Sequence, residues 1–194
     1  MSKEEQRALA LAARRALSPN RRRANSEKLC KRLGELPELR KARLILSYAA
    51  LPDEADLSWL HERLAPGTRL CFPVSLSGGV MEAWLPGNWV KGPYGIWEPD
   101  RSCSRPVAPE ELDLVLAPCV AFDGDCRRLG HGAGYYDRFL TKVKPSAAKI
   151  LIAFDAQESG EVPMEKTDIR MDFAVTESGL IAFGAGARPL TPCF

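Results

Sequence analysis

The sequence has 194 residues, of which 45% are apolar and 27% charged, with a formal net charge of +2. That length suits one domain with a sizeable core, and the charge is too small to argue for a nucleic-acid or membrane partner. No apolar run approaches the roughly 20 residues of a membrane helix, and the charged N-terminus lacks a signal-peptide core, so the cytoplasm is the default location.

In chain order, Ser2 and Glu5 have the spacing of a capping box, and Lys3 to Leu17 is rich in good helix formers. Ser18 followed by Pro19 stops that helix and starts another, expected to run to about Leu33 and end at Gly34. The apolar run 43–49 reads as a buried strand, 53–65 as a helix closed by Gly67, and 69–74 as the next strand. The alternating stretch 81–85 reads as an edge strand. Residues 86–109 carry five prolines and read as a long loop. A buried strand over 112–122 follows, then a helix from Tyr135 to Val143, and strands at 149–155, 172–176 and 180–183. Residues 184–194 read as a tail. Strands separated by helical segments imply an α/β fold with a largely parallel sheet.

Six cysteines and two histidines are present, but no C-x-x-C pair and no zinc-like spacing. A metal-stapled or disulfide framework is therefore not expected, and most cysteines should serve as small core residues.

The stretch "RLGHGAGYYDRFL" (128–140) places Gly130, Gly132 and Gly134 between a buried strand and a helix. Two readings are open: a tight connection, or a cradle whose backbone N–H groups hold phosphate oxygens. Arg127 and Arg128 would add charge, and Asp137 could ligate a phosphate-bound magnesium ion or merely compensate the helix dipole. The run is neither a Walker A loop nor a G-x-G-x-x-G fingerprint. Lys3 and Arg7 share one helix face, which by itself reads as solvated surface.

Arg128 to Asp137 resemble the R-L-G-x-G-x-G-Y-Y-D signature of the 5-formyltetrahydrofolate cyclo-ligase family. The resemblance extends to Lys3 and Arg7, "SYAALPDEAD" around Glu54, "YGIWEP" (94–99), "AFDAQ" (153–157) and "DIRMDFAVTE" (168–177). It implies a three-layer α/β fold like that of sugar-phosphate isomerases and CoA transferases. The implied domain spans 1–194, with residues 1–34 contributing to an ATP site. The implied reaction is ATP- and Mg2+-dependent closure of 5-formyltetrahydrofolate to 5,10-methenyltetrahydrofolate, with ADP and phosphate released. The formyl oxygen would attack the γ-phosphate, and N10 would then attack the formyl carbon and expel phosphate.

By the same resemblance, Lys3, Arg7, Arg128, the glycines 130, 132 and 134, and Asp137 would bind ATP. Glu54 and the run His131, Gly132, Ala133, Gly134 and Tyr135 would bind the folate. Asp137 and Asp168 would hold Mg2+. Trp97 and Glu98 are candidates to line the folate pocket. The expected partners are the two small substrates, with the chain acting as a monomer and no nucleic acid or membrane involved. One alternative is a non-catalytic folate- or nucleotide-binding regulator on the same fold. Another, an RNA-binding module using the basic stretch 13–23, lacks an aromatic residue for base stacking.

Overall fold

The computed structural model describes residues 1–183, so the expected tail at 184–194 lies outside the described residues. The first helix, α1 (Lys3–Ala16), has the expected capping box: Glu5 N–H donates to the Ser2 hydroxyl and Ser2 N–H to the Glu5 carboxylate. Ser18 caps α2 (Pro19–Glu35), which continues through Gly34. The stop is set instead by Pro37, which holds Leu36 in extended geometry (ψ 128°) and opens α3 (Pro37–Lys41).

Strand β1 (Leu44–Leu46) follows as expected, but the helix expected at 53–65 contracts to one turn, α4 (Ser58–His61). Polar and aromatic side chains outcompete the helix here. Asp56 accepts from Ser58 N–H, Ser26 Oγ accepts from Asp56 N–H at 3.1 Å, and the buried Tyr48 hydroxyl donates to the Ala55 carbonyl at 2.7 Å.

The remaining elements are β2 (Arg69–Ser75), β3 (Met81–Leu85), β4 (Trp89–Lys91), β5 (Trp97–Pro99) and β6 (Arg105–Val107). Then come β7 (Leu114–Pro118), β8 (Ala121–Phe122), β9 (Arg128–Leu129), α5 (Tyr135–Leu140), β10 (Ala148–Ile152), β11 (Phe173–Val175) and β12 (Leu180–Ala182). The proline-rich segment is thus not simply a loop. It forms a β4–β5 ribbon and strand β6, which pairs with β3 and takes the outer edge expected for β3. Prolines are tolerated in such outlying strands because one side of each makes no ladder bonds. The strand expected at 112–122 divides into β7 and β8.

The main sheet has the order β12-β11-β10-β7-β1-β2-β3-β6. Strands β11, β10, β7, β1 and β2 are parallel, and β12, β3 and β6 extend it antiparallel. Alternate residues of the parallel strands serve opposite faces. Leu44, Leu46, Val115 and Leu151 pack toward Phe139 and Leu140 of α5, whereas Ile45, Leu116 and Ile150 pack toward Leu29 and Leu33 of α2. The result is a three-layer α/β architecture. Cys30, Cys71, Cys119 and Cys126 are buried free thiols, Cys103 is exposed, and Cys193 lies outside the described residues. Among the described residues no helix is long and apolar enough to cross a membrane.

Helix α1 joins neither face. Its Ala10 packs on Val120, Ala121 and Leu129, beyond the carboxyl end of β7. It is fixed there by Arg14, which is 1% exposed. The Arg14 guanidinium contacts Asp53 at 3.1 Å, Glu54 at 3.4 Å and the Cys119 carbonyl at 3.4 Å. Removing one member of a buried ion network leaves the others charged and unsatisfied. Arg14→Ala is therefore expected to destabilise the fold by about 3–5 kcal/mol, read as a lower denaturant midpoint. Arg15→Ala, at a side chain 70% exposed and 3.6 Å from Asp53, should leave the midpoint near wild type.

Candidate active site

The sheet reverses its winding between β1 and β7, since the chain leaves β1 toward β2 and leaves β7 toward β10. In open α/β sheets the crevice beyond the carboxyl ends at such a point is the usual ligand site. A cleft of about 1030 Å³ lies there, bordered by Tyr48 and Glu54 after β1, Pro118 at the end of β7, and Pro73 and Ser75 of β2. Helix α1 and the segment 128–138 complete its wall.

The glycine run forms much of that wall, and three arginines explain its composition. The Arg7 Nε donates to the Gly130 carbonyl at 2.9 Å, and its guanidinium lies 3.6–3.7 Å from where a Cβ on Gly132 would stand. A Cβ on Gly130 would come within 2.9 Å of Arg128 Nη1, and one on Gly134 within 2.9 Å of Arg138 Nη1. Gly132 (φ 103°) and Gly134 (φ 67°) also adopt left-handed backbone that side chains rarely tolerate. The run is therefore both a tight connection and a shelf on which guanidinium groups lie. Among the described residues no hydrogen bond uses the N–H groups of residues 131–134.

Two cations of the cleft, Arg128 and Lys3, are held by acidic partners. Arg128 Nη2 donates to Asp137 Oδ2 at 2.9 Å, while Asp137 Oδ1 accepts from Ile169 N–H at 3.3 Å. The Arg128 guanidinium also lies over the Tyr136 ring, 5.4 Å from its centroid. Lys3 Nζ lies 2.7 Å from Asp168 and 3.0 Å from Glu165. Burial works against both charges of the Lys3–Asp168 pair. Burial is the largest single influence on each, but it is outweighed by the sum of the rest: hydrogen bonds and charges of Asp168 and Glu165 raise the pKa of Lys3, and the Lys3 hydrogen bond, the Glu165 N–H and the charges of Lys3 and Arg128 lower that of Asp168. Glu54 behaves oppositely: burial raises its pKa despite the Leu51 N–H and Arg14 that favour the charged form.

Lys3, Arg7, Glu54, Arg128, Asp137 and Asp168 thus line one cleft, together with Gly130, His131, Gly132, Ala133, Gly134 and Tyr135. Trp97 does not. It is 53% exposed, with Lys91 Nζ 5.8 Å from its ring, and the neighbouring Glu98 faces the cleft instead. The sequence reading gave Arg14 no role. It lies seven residues beyond Arg7 on α1, and nothing local in the sequence marks its burial. The Tyr136 hydroxyl is buried without a partner among the described residues, and burial pushes its pKa up.

Asp137 and Asp168 offer hard oxygen donors on adjoining segments, joined through the Ile169 N–H. Among the described residues no group of three or more acidic, histidine or cysteine side chains forms a metal cage. Two carboxylates without a cage fit a magnesium ion that keeps water and phosphate oxygens as its other ligands.

Comparison with known proteins agrees with this geometry. The sequence matches the model of the 5-formyltetrahydrofolate cyclo-ligase family over residues 1–177. It is 28% identical over 191 residues to the 5-formyltetrahydrofolate cyclo-ligase of Mycolicibacterium smegmatis, covering 93% of this chain and 97% of that one. A probable cyclo-ligase of Schizosaccharomyces pombe is 29% identical over 81% of this chain and 86% of its own. The fold superposes on 5,10-methenyltetrahydrofolate synthetase from Aquifex aeolicus with a TM-score of 0.83 and 33% identity, covering 98% and 97% of the two chains. A synthetase from Mycoplasma pneumoniae, at 24% identity and a TM-score of 0.76, shares the fold. With the family match running from the α1 cations through the glycine shelf to the last parallel strand, this chain belongs to the 5-formyltetrahydrofolate cyclo-ligase family.

Proposed function

We infer that this protein converts 5-formyltetrahydrofolate to 5,10-methenyltetrahydrofolate using ATP. The observation that carries the reading is the cleft in which Lys3, Arg7 and Arg128 converge on the glycine shelf. Phosphoryl transfer asks a protein chiefly for positioning and charge neutralisation, and that arrangement offers both. Arg7 and Lys3 bind phosphate oxygens, and free N–H groups of residues 131–134 add donors without a change of backbone. Arg128 stabilises charge on the transferring phosphoryl group. It is already oriented by Asp137 and the Tyr136 ring.

In the first step the formyl oxygen of the substrate forms a bond to the γ-phosphorus as the bond to ADP breaks. The oxygen thereby becomes a phosphate ester and a usable leaving group. In the second step N10 bonds to the formyl carbon, phosphate departs with the oxygen, and N10 loses its proton. Glu54 holds the folate, with Tyr135 offering a flat surface for a ring. Asp137 and Asp168 would hold magnesium, which supplies charge neutralisation at phosphate oxygens.

The direct test is absorbance of the methenyl product from purified protein, 5-formyltetrahydrofolate, ATP and magnesium, with each component omitted in turn. Product formed without ATP, or none in the complete mixture, contradicts the assignment. Arg7→Ala should raise the KM for ATP and leave equilibrium folate binding unchanged. Loss of one charge-assisted hydrogen bond is worth about 1.5–3 kcal/mol. Asp137→Asn keeps the side-chain size and should fold, but with strongly reduced turnover that high magnesium partly restores. Wild-type rates for that variant at limiting magnesium would remove the metal role.

A further inference from the structure

Five acidic residues line the cleft: Glu54, Glu98, Asp137, Glu165 and Asp168. Four of them are paired with cations of α1 or the glycine segment: Glu54 with Arg14, Asp137 with Arg128, and both Glu165 and Asp168 with Lys3. Glu98 is different. It is 5% exposed, and among the described residues no cation pairs with it. Its Oε1 accepts one hydrogen bond, from Ser75 N–H at 3.2 Å, and Oε2 has no partner among the described residues. The second oxygen of this largely buried carboxylate is thus open to the cleft and available to accept from a ligand there.

The carboxylate is also held rigidly. It lies against the Cα of Gly92, where an added Cβ would come within 2.4 Å of Glu98 Cδ. Gly92 N–H donates to the Ile96 carbonyl at 2.8 Å, closing the β4–β5 ribbon over it. The ribbon is anchored twice: Trp89 packs edge-on against Phe72 of β2, and the Tyr94 hydroxyl meets that of Tyr135 at 3.0 Å. The walls beside Glu98 are apolar, from Pro73, Val80, Met81 and Ile96. Arg138 of the glycine segment, which also lines the cleft, donates to the carbonyls of Gly79 and Ala133.

The two ends of the cleft therefore differ in kind. Helix α1, with Lys3 and Arg7, packs beyond β7 and the 155–157 turn after β10. Glu98 is tied to β2. Strands β10 and β2 are three sheet spacings apart, roughly 14 Å. An anion fits the first end. The second end suits a ring whose faces meet apolar side chains and whose edge presents adjacent N–H donors to a carboxylate. The pterin of a folate has such an edge in its 2-amino group and N3–H, and a carboxylate can accept from both at once.

We propose that Glu98 is the residue that recognises the donor edge of the pterin, so that the β4–β5 ribbon forms the ring-specificity wall of the site. The proposal rests on the folate reading given above. Glu54, which also meets Arg14 and Leu51 N–H, holds the folate together with Glu98.

Glu98→Gln isolates the role, because the amide oxygen still accepts from Ser75 N–H while the second acceptor becomes a donor. Equilibrium binding of 5-formyltetrahydrofolate is measured without ATP, alongside the KM for each substrate and the thermal midpoint. Folate affinity should fall roughly ten- to hundredfold, with the KM for ATP and the midpoint unchanged. A second ligand, the 2-desamino analogue, completes the test. Wild type should bind it more weakly than the natural folate, and Glu98→Gln should bind it no worse than wild type does. Unaltered folate affinity in Glu98→Gln overturns the proposal, as does a rise confined to the KM for ATP. Equal wild-type affinity for the two folates overturns it without reference to any variant. Binding of the natural folate without any turnover would instead count against the catalytic reading and leave the binding comparison intact.

Discussion

The buried guanidinium of Arg14 is the constraint on which the site depends. It draws together α1, the loop leaving β1 and the turn leaving β7, three segments that share no sheet hydrogen bonds with one another. The other ties of α1 are a small apolar contact through Ala10 and Leu11 and less buried polar contacts from Lys3, Gln6 and Arg7. Its position matters because α1 brings Lys3 and Arg7 to the cleft. A charge buried this deeply is justified by its partners: two carboxylates and a carbonyl take up its donors.

A second theme is that the cleft is pre-organised electrostatically. Lys3 and Arg128 each sit on a carboxylate, and Arg7 sits on a carbonyl. These contacts fix long, flexible side chains in place, so less rotamer freedom is lost when an anion binds. They also keep clustered positive charges from repelling one another. Asp137 and Asp168, to which the proposed function gives magnesium, lie on the same wall as these cations. The glycines belong to the same design: a Cβ at Gly130 or Gly134 would stand 2.9 Å from a guanidinium nitrogen, and Gly132 and Gly134 take left-handed backbone.

The parallel core supplies the rigid base. Strands β1, β7 and β10 are buried on both faces, which is why they read as continuous apolar runs rather than alternating ones. Loops at their carboxyl ends carry the chemistry, while the antiparallel extension through β3 and the β4–β5 ribbon closes the far side. On the proposed assignments, phosphate and ring recognition fall to different parts of the chain, the second to the ribbon inserted between β3 and β6.

Much of this was legible in the sequence. The capping box at Ser2 and Glu5, the Ser18–Pro19 helix start, the apolar strands and the signature at 128–137 are local patterns, and local patterns report local structure. What the sequence left undecided was settled by partners distant in the chain. Residues 53–57 have helical character, but contacts to Arg14, Ser26 and Tyr48 hold them as a loop. Strand β3 alternates like an edge strand, yet β6 covers it. Trp97 and Glu98 show the limit most plainly. Read as loop residues, both are open to the pocket; in strand β5 neighbours point to opposite sides, so one of them must face away from the site. Only the docking of the ribbon on β2, through Ser75 and Phe72, decided that the glutamate is inside and the tryptophan in solvent.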